Sequence, residues 1–446
     1  MIAFLFVFSA LLACVVYLNG KYNEFYWKRR KVAFYKKNKV MDFNSFNHRG
    51  VDINKDDLLA DNILFMHGNR WKLMRQSMTP LFTSAKLKSM YYIIDKSAVD
   101  FVQYLNDNKQ LLNGNAFDTL TSFCSAAIGG AVFGVSTGSI FDSPFLHMAR
   151  DAFKASFRFN TRFAVGFLSS GLATFLGLKF FKEHEGFFIR AIKQILRARE
   201  LEPVNRHDFA DLCVALQSMG KMVDKERGLE MVPTDELLAA QAFFFFVAGV
   251  EPTATALFGT LYELGKSPEH LEKVHNEIDE AFKKNDNKMS YDTIHKDLKH
   301  VDMVLSEAMR LHPPIGYLTR RCVKDSVLPV GNIKVDKGTN ILTPIFEIHH
   351  DPKYYPEPEK FMPERFAPEN RHKIADITYM PFGKGNRICV GLRYASLQAK
   401  AGLVHLLRNF TVSSIINDGG QKYSRHPVQV RLDNVDVKFI PRNIAN

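Results

Sequence analysis

The sharpest chemical signal in the chain is Pro381-Phe382-Gly383-Lys384-Gly385-Asn386-Arg387-Ile388-Cys389-Val390-Gly391. A lone cysteine is most often inert packing. Here, however, Gly383 and Gly385 let the backbone fold tightly and aim N–H groups inward, and Arg387 stands two residues before the sulfur. Val390 to Phe410 reads as a helix whose first turn offers free N–H donors. Each feature favours a thiolate over a thiol. A thiolate held by fixed N–H groups is a poor hydrolytic nucleophile but a good axial ligand to haem iron, where hydrogen bonds to sulfur tune its electron donation.

Such a site needs long rigid elements to hold it. The longest helical pattern opens at Thr234-Asp235-Glu236, a capping residue followed by acids, and runs to Leu264, with Gly265 as its end. Its 31 residues would extend roughly 46 Å. Phe243 to Val247, in its middle, is apolar on every face and should be buried all round. Ser267-Pro268-Glu269 starts a second helix, with proline where its missing N–H costs nothing. From Trp71 onward the period is mainly helical, with turn clusters at 106–115, 202–207 and 283–288. Strand-like stretches are late and short: one hairpin is expected within 333–345 and another within 428–440. The fold class is therefore mainly α with small β-sheets.

The chain has 446 residues, 46% hydrophobic and 24% charged, which excludes disordered and collagenous classes. Five cysteines, Cys14, Cys124, Cys213, Cys322 and Cys389, lack CxxC spacing, so neither a zinc ribbon nor a secreted disulfide framework is indicated. The formal charge of +12 comes from basic residues interleaved with acids, without a nucleic-acid motif. An acidic protein partner or an anionic membrane is the expected beneficiary, and no nucleic acid is.

Residues 2–18 carry no formal charge and are just long enough to cross a thin bilayer as a helix. Lys21, Lys28, Arg29, Arg30, Lys31, Lys36 and Lys37 follow, so the positive-inside rule puts the remainder in the cytosol. The expected organisation is an anchor at 2–18, a basic linker at 19–41 and a catalytic domain at 42–446. Ten phenylalanines between Phe153 and Phe188, with no acid from Ala152 to Phe181, fit core packing and a greasy basic roof at a membrane surface equally well.

The cysteine segment resembles the FxxGxRxCxG haem loop of the cytochrome P-450 superfamily, matched at Phe382, Gly385, Arg387, Cys389 and Gly391. Glu307 and Arg310 match the family's ExxR pair, and Pro363-Glu364-Arg365-Phe366 its PERF segment, whose Arg would complete a buried triad. Trp71 and Arg75 match a WxxxR pair over one haem propionate, and Arg320 aligns with another propionate-binding arginine. The resemblance spans about residues 43 to 440 and looks like the microsomal, insect-type branch that oxidises xenobiotics.

That resemblance implies haem b with Cys389 as axial ligand and with Trp71, Arg75, Ala248, Gly249, Arg320, Phe382 and Arg387 as haem-binding residues. It implies a monooxygenase that inserts one atom of O2 into small hydrophobic substrates. Electrons would come from an NADPH-dependent flavoprotein reductase, with a cytochrome b-type donor as a further partner. Lys384 and other basic residues would form the docking surface. The location implied is the endoplasmic reticulum membrane.

Two departures stand out. The family's central helix carries A-G-x-E/D-T-T/S, and here Ala248-Gly249-Val250-Glu251-Pro252-Thr253 puts proline in the place of the proton-delivering threonine. Pro252 cannot donate to the Ala248 carbonyl, so the helix is expected to open there. Glu251 and Thr253 are the remaining candidates for catalytic proton transfer, Thr253 only if the bend turns it inward. The front of the chain lacks the family's proline-rich hinge and first strands. Two rival readings follow: a haem-thiolate isomerase or dehydratase that needs no oxygen activation, and a non-catalytic haem or ligand binder.

Overall fold

The computed structural model describes residues 45–51, 53–54, 56–134, 141–152, 156–168, 170–201, 208–328, 331–424, 426 and 428–443. The expected anchor, the basic linker and the turn at 202–207 lie outside these residues. The described chain divides into a small unit, 45–48 with 320–341, and a large one, 49–319 with 342–443.

In the small unit the antiparallel pair Ser326–Leu328 and Ile333–Val335 encloses a core of Phe46, Cys322 and Val335. Val323 donates to the Ser45 carbonyl at 2.8 Å and Arg321 to that of His48 at 2.9 Å, which sews the front segment onto this pair. Ile333–Val335 thus pairs backwards with Ser326–Leu328, so the expected hairpin within 333–345 is not formed. The two glycine- and asparagine-bearing turns on either side, Gly331-Asn332 and Gly338, both adopt left-handed φ, and the first of them closes the pair.

The large unit is helical, built round Asp235–Lys266. That helix starts as expected, with the Thr234 hydroxyl accepting from Leu237 N–H at 3.2 Å. It does not stop at Gly265 but runs on to Lys266. Gly265 instead makes room for a strand: a Cβ there would lie 2.4 Å from Ser414 Oγ and 2.7 Å from the Ser414 backbone nitrogen. Ala116–Phe133, capped by Asn115 and ended by left-handed Gly134, packs against its middle. At Gly249 a Cβ would come within 2.9 Å of Ile128, so glycine sets how closely these two helices approach. Both helices are long and apolar enough to cross a membrane, yet most of each is buried inside the protein, so they form its core.

Phe243, Phe245, Phe246 and Val247 are buried as the all-round apolar pattern requires, and Phe244 is half-buried. The helix passes through Pro252 without a break, so the expected opening is confined to the one hydrogen bond that proline cannot make. The helix after the cysteine runs Leu392–Asn409, and Phe410–Ile416 leaves it as a strand. Val435–Pro441 pairs antiparallel with that strand, and Leu432–Asp433 with Lys422–Tyr423. The hairpin expected within 428–440 is therefore split between two ladders. A strand adjoining the last helix outcompetes the local partner, a choice that alternation alone cannot show.

Candidate active site

A cavity of about 380 Å³ lies in the large unit, and its lining combines Cys389 with apolar side chains of the central helix. The cysteine loop is built as its glycines require: Gly383 and Gly385 take φ of 75° and 74°. Gly383 N–H donates to Met380 O at 3.0 Å, Ile388 N–H to Gly385 O at 3.0 Å and Cys389 N–H to Phe382 O at 2.9 Å. Among the described residues Cys124, Cys213 and Cys322 are buried, and Cys389 is the accessible cysteine. What it exposes is cavity wall, so its surroundings are protein and its dielectric is low.

That environment corrects the expectation of a free-standing thiolate. Burial pushes the Cys389 thiol above its ordinary range, against the opposing pull of the Gly391 N–H and of the Arg75 and Arg49 cations. A coordinated metal deprotonates such a thiol outright. Arg387 serves to attach the loop. Its guanidinium donates to the carbonyls of Ile63 at 3.3 Å, Leu64 at 3.4 Å and Met66, and lies 4.2 Å above the Trp71 ring. It fastens residues 63–66 to the cysteine loop.

Arg75, on the helix Gly68–Met78, donates to Ile388 O at 2.9 Å and lines the cavity, as do Trp71, Phe382, Ala248 and Gly249. Burial lowers its pKa, and no carboxylate pairs with it among the described residues. A half-buried cation with no carboxylate partner among the described residues, beside an accessible sulfur in an apolar wall, suits a large planar apolar group that carries a metal and an anionic edge. The residues therefore fit haem. Arg49, which motif spacing missed, donates to Arg387 O at 3.3 Å and also lines the cavity. It lies in an irregular segment with no helical or strand period to mark it. Arg320 falls in the small unit, where burial lowers its pKa, whereas the cavity is lined by the large unit.

Beneath this, Glu307 and Arg310 are fully buried on the helix Lys299–Leu311. Arg310 grips Glu307 with two hydrogen bonds of 2.8 and 2.9 Å, and Arg365 donates to the same carboxylate at 3.2 Å. Met362 N–H adds a fourth at 2.9 Å, so the carboxylate is well satisfied. The remaining Arg310 donors reach the carbonyls of His349 and Lys360. His349 carried no motif, yet it joins this triad to the cysteine loop through Met380.

Of the proton-transfer candidates, Thr253 lines the cavity and Glu251 does not. The Glu251 carboxylate is buried and salt-bridged to Arg431, whose guanidinium also lies 4.9 Å from the Phe117 ring. Glu251 is thus committed to holding a distant strand segment rather than exposed to cavity water. Pro252 lines the cavity too. The phenylalanine-rich stretch divides three ways. Phe181 and Phe188 are core, Phe159, Phe163 and Phe180 join Phe181 in the wall, and Phe157 and Phe175 are 89% and 86% exposed.

A mainly helical protein with one accessible cysteine sulfur and a half-buried arginine on a single apolar cavity has the layout of the haem-thiolate class. The comparisons agree. The family model for cytochrome P450 matches residues 18–433. Probable cytochrome P450 6a13 of Drosophila melanogaster is 35% identical over 380 residues, 84% of this chain and 74% of the relative. Cytochrome P450 6B2 of Helicoverpa armigera is 33% identical over 379 residues, 83% of this chain and 74% of the relative. Cytochrome P450 6k1 of Blattella germanica is 32% identical over 391 residues, 84% and 74% respectively. The chain belongs to the cytochrome P450 family, in its insect-type branch.

As such it binds haem b through a cysteine thiolate and is a haem monooxygenase that uses O2, an organic substrate and electrons from a redox partner. The isomerase and non-catalytic readings are not favoured by these relatives.

Proposed function

We propose that Cys389 is the iron ligand and that the cavity above it oxidises small hydrophobic molecules, foreign compounds among them. The observation that carries this is the accessible Cys389 in the same apolar cavity as the unpaired-charge Arg75. Bound haem supplies activation of O2, with thiolate donation favouring O–O cleavage. The chain's own residues do the rest. Gly391 N–H and Arg75 stabilise negative charge on the sulfur. Arg75 and Arg49, which line the cavity with Trp71 and Phe382, would hold the anionic edge of the haem. Arg387 contributes by holding residues 63–66 in place. Ala248 and Gly249, small residues of the cavity wall, would leave room for the macrocycle. Thr253, in the wall, is the hydroxyl that passes protons, and the phenylalanine wall excludes water and selects apolar substrates.

The redox partner is an NADPH-dependent flavoprotein reductase with an acidic face, and a cytochrome b-type donor is a second. Formal charge +12 supports this, although Lys384 itself is paired with Asp376 and contributes less than its position suggested. Membrane attachment, at the endoplasmic reticulum, rests on the apolar run 2–18 with its basic flank, and on exposed Phe157, Leu172, Phe175 and Leu176. With reductase and NADPH, the purified protein should consume oxygen in proportion to hydroxylated product, and added salt should slow it. Turnover of hydroperoxides without NADPH, and none with it, would contradict the proposal.

A further inference from the structure

Two segments that wall the cavity are tied together by carboxylates that each reach across to the other's backbone. Asp57 Oδ2 accepts Phe180 N–H at 2.5 Å and Phe181 N–H at 3.3 Å. In return Glu185 Oε1 accepts Leu58 N–H at 2.9 Å, and Lys179 donates to Asp56 O at 2.8 Å. Lys182 holds the other Glu185 oxygen at 2.7 Å. Both carboxylates are buried, at 1% and 5% exposure, a costly position for groups that do not line the cavity. What the clasp aligns is aromatic: the Phe65 ring lies 6.1 Å from Phe180 and 6.3 Å from Phe181, and all three line the cavity. Phe181 also packs edge-on against Phe243 of the central helix at 4.9 Å.

We propose that Asp57 and Glu185 are positioning residues forming a reciprocal clasp, which holds Phe65, Phe180 and Phe181 as a closed wall and whose release sets how fast substrate enters and leaves. The inference rests on reading the cavity as the substrate site. It follows from connectivity: residues 56–65 and 179–185 are far apart in sequence, and a molecule passing between their rings must part the N–H bonds that join them. Bonds to a buried acceptor meet no competition from water, so they dominate the closure. The function needs the acceptor oxygen rather than the charge. Asp57 Oδ1 has no hydrogen-bond partner among the described residues, and burial raises the Asp57 pKa against the pull of the Phe180 and Phe181 N–H groups.

The test is stopped-flow absorbance of phenylimidazole binding to the ferric haem protein, with carbon monoxide binding to the ferrous protein as a small-ligand control. Asp57→Ala and Glu185→Ala should speed both association and dissociation of phenylimidazole tenfold or more, leave its equilibrium affinity nearly unchanged, and alter the carbon monoxide rate far less. Asp57→Asn keeps an acceptor for Phe180 and Phe181 and should retain the unaltered rate. Equal rates in the alanine variants, or an asparagine variant as fast as alanine, would overturn the clasp. If phenylimidazole fails to perturb any variant while carbon monoxide binds, it is the substrate-site reading that falls. Hydrogen exchange in the unaltered holoprotein then decides the clasp, as it does if the alanine variants do not fold. The Leu58, Phe180 and Phe181 amides should open at one common rate, and unrelated rates would refute it.

Discussion

His349 Nε2 accepts the backbone N–H of Met380 at 3.0 Å, and because its Nδ1 stands 3.1 Å from the Arg310 carbonyl, the ring carries its single proton on Nδ1. One fully buried imidazole therefore couples the Glu307–Arg310–Arg365 triad to the residue from which the cysteine loop turns. A second proton would leave Nε2 unable to accept.

This relationship has a pH signature. Burial drives the His349 pKa down to about 3 from its ordinary 6.5. A folded value below the unfolded one means the unfolded chain takes up a proton that the folded chain refuses. The stability it contributes is complete above pH 6.5 and is lost as pH falls toward 3. Thermal melts of the holoprotein should show a falling Tm across that window, with a shallower slope in His349→Gln. Since burial also lowers His275, to about 4, the slope should diminish rather than vanish. An unchanged slope would remove His349 from the account.

Proton delivery can be separated from structure on the central helix. Thr255 spends its hydroxyl on the Glu251 carbonyl at 3.0 Å, which leaves Thr253 as the helix's hydroxyl in the cavity wall among the described residues. Thr253→Ala should lower product per NADPH about tenfold with the haem spectrum intact. Pro252→Thr, which restores both an N–H and a hydroxyl, should raise that ratio. Glu251→Ala should chiefly destabilise, by about 3 kcal/mol, because it strands Arg431. If Glu251→Ala uncouples the enzyme while its Tm is unchanged, the roles assigned to these residues are reversed.

Removing one partner of the buried triad leaves its neighbours uncompensated. Glu307→Ala should cost about 3–5 kcal/mol and yield protein without haem. Arg365→Ala gives up a 3.2 Å contact to Glu307 and donations to Glu357 O and Met362 Sδ but leaves Arg310 paired with the carboxylate, so it should cost less and retain pigment. Equal losses in the two would argue that Arg365 is as central as Arg310. Urea unfolding and pigment yield measure both.

Gly265 offers a test of packing against propensity. Inside a helix, glycine to alanine ordinarily gains about 1 kcal/mol. Here the new Cβ would meet the Ser414 backbone at 2.7 Å, and backbone cannot step aside. Gly265→Ala should therefore lower Tm, and a rise would mean the strand Phe410–Ile416 is free to move.

How much of this was legible in the chain depended on the range of the cause. Cys389, the Glu307–Arg310 pair, Arg75 and the start of the central helix are written in short spacings and caps; Cys389 and Arg75 line one cavity, Glu307 pairs with Arg310, and the Thr234 cap is formed. The strand partners were not legible, because Val435–Pro441 chooses Phe410–Ile416 by tertiary proximity rather than by local alternation. Gly265 looked like a stop signal but is a contact point. Arg387 and Glu251 carried the right chemistry, yet their partners, residues 63–66 and Arg431, lie more than a hundred positions away. Arg49 and Asp57 sit in irregular segments and His349 ends the short helix Ile345–His349, and only their contacts reveal them.

The most direct measurement is the reduced carbon monoxide difference spectrum of the haem-loaded protein beside its Cys389→Ser variant. The unaltered protein should give the thiolate-type Soret band and the variant should lose it. A variant that keeps pigment with that band unchanged would contradict the assignment of Cys389 as the iron's sulfur ligand.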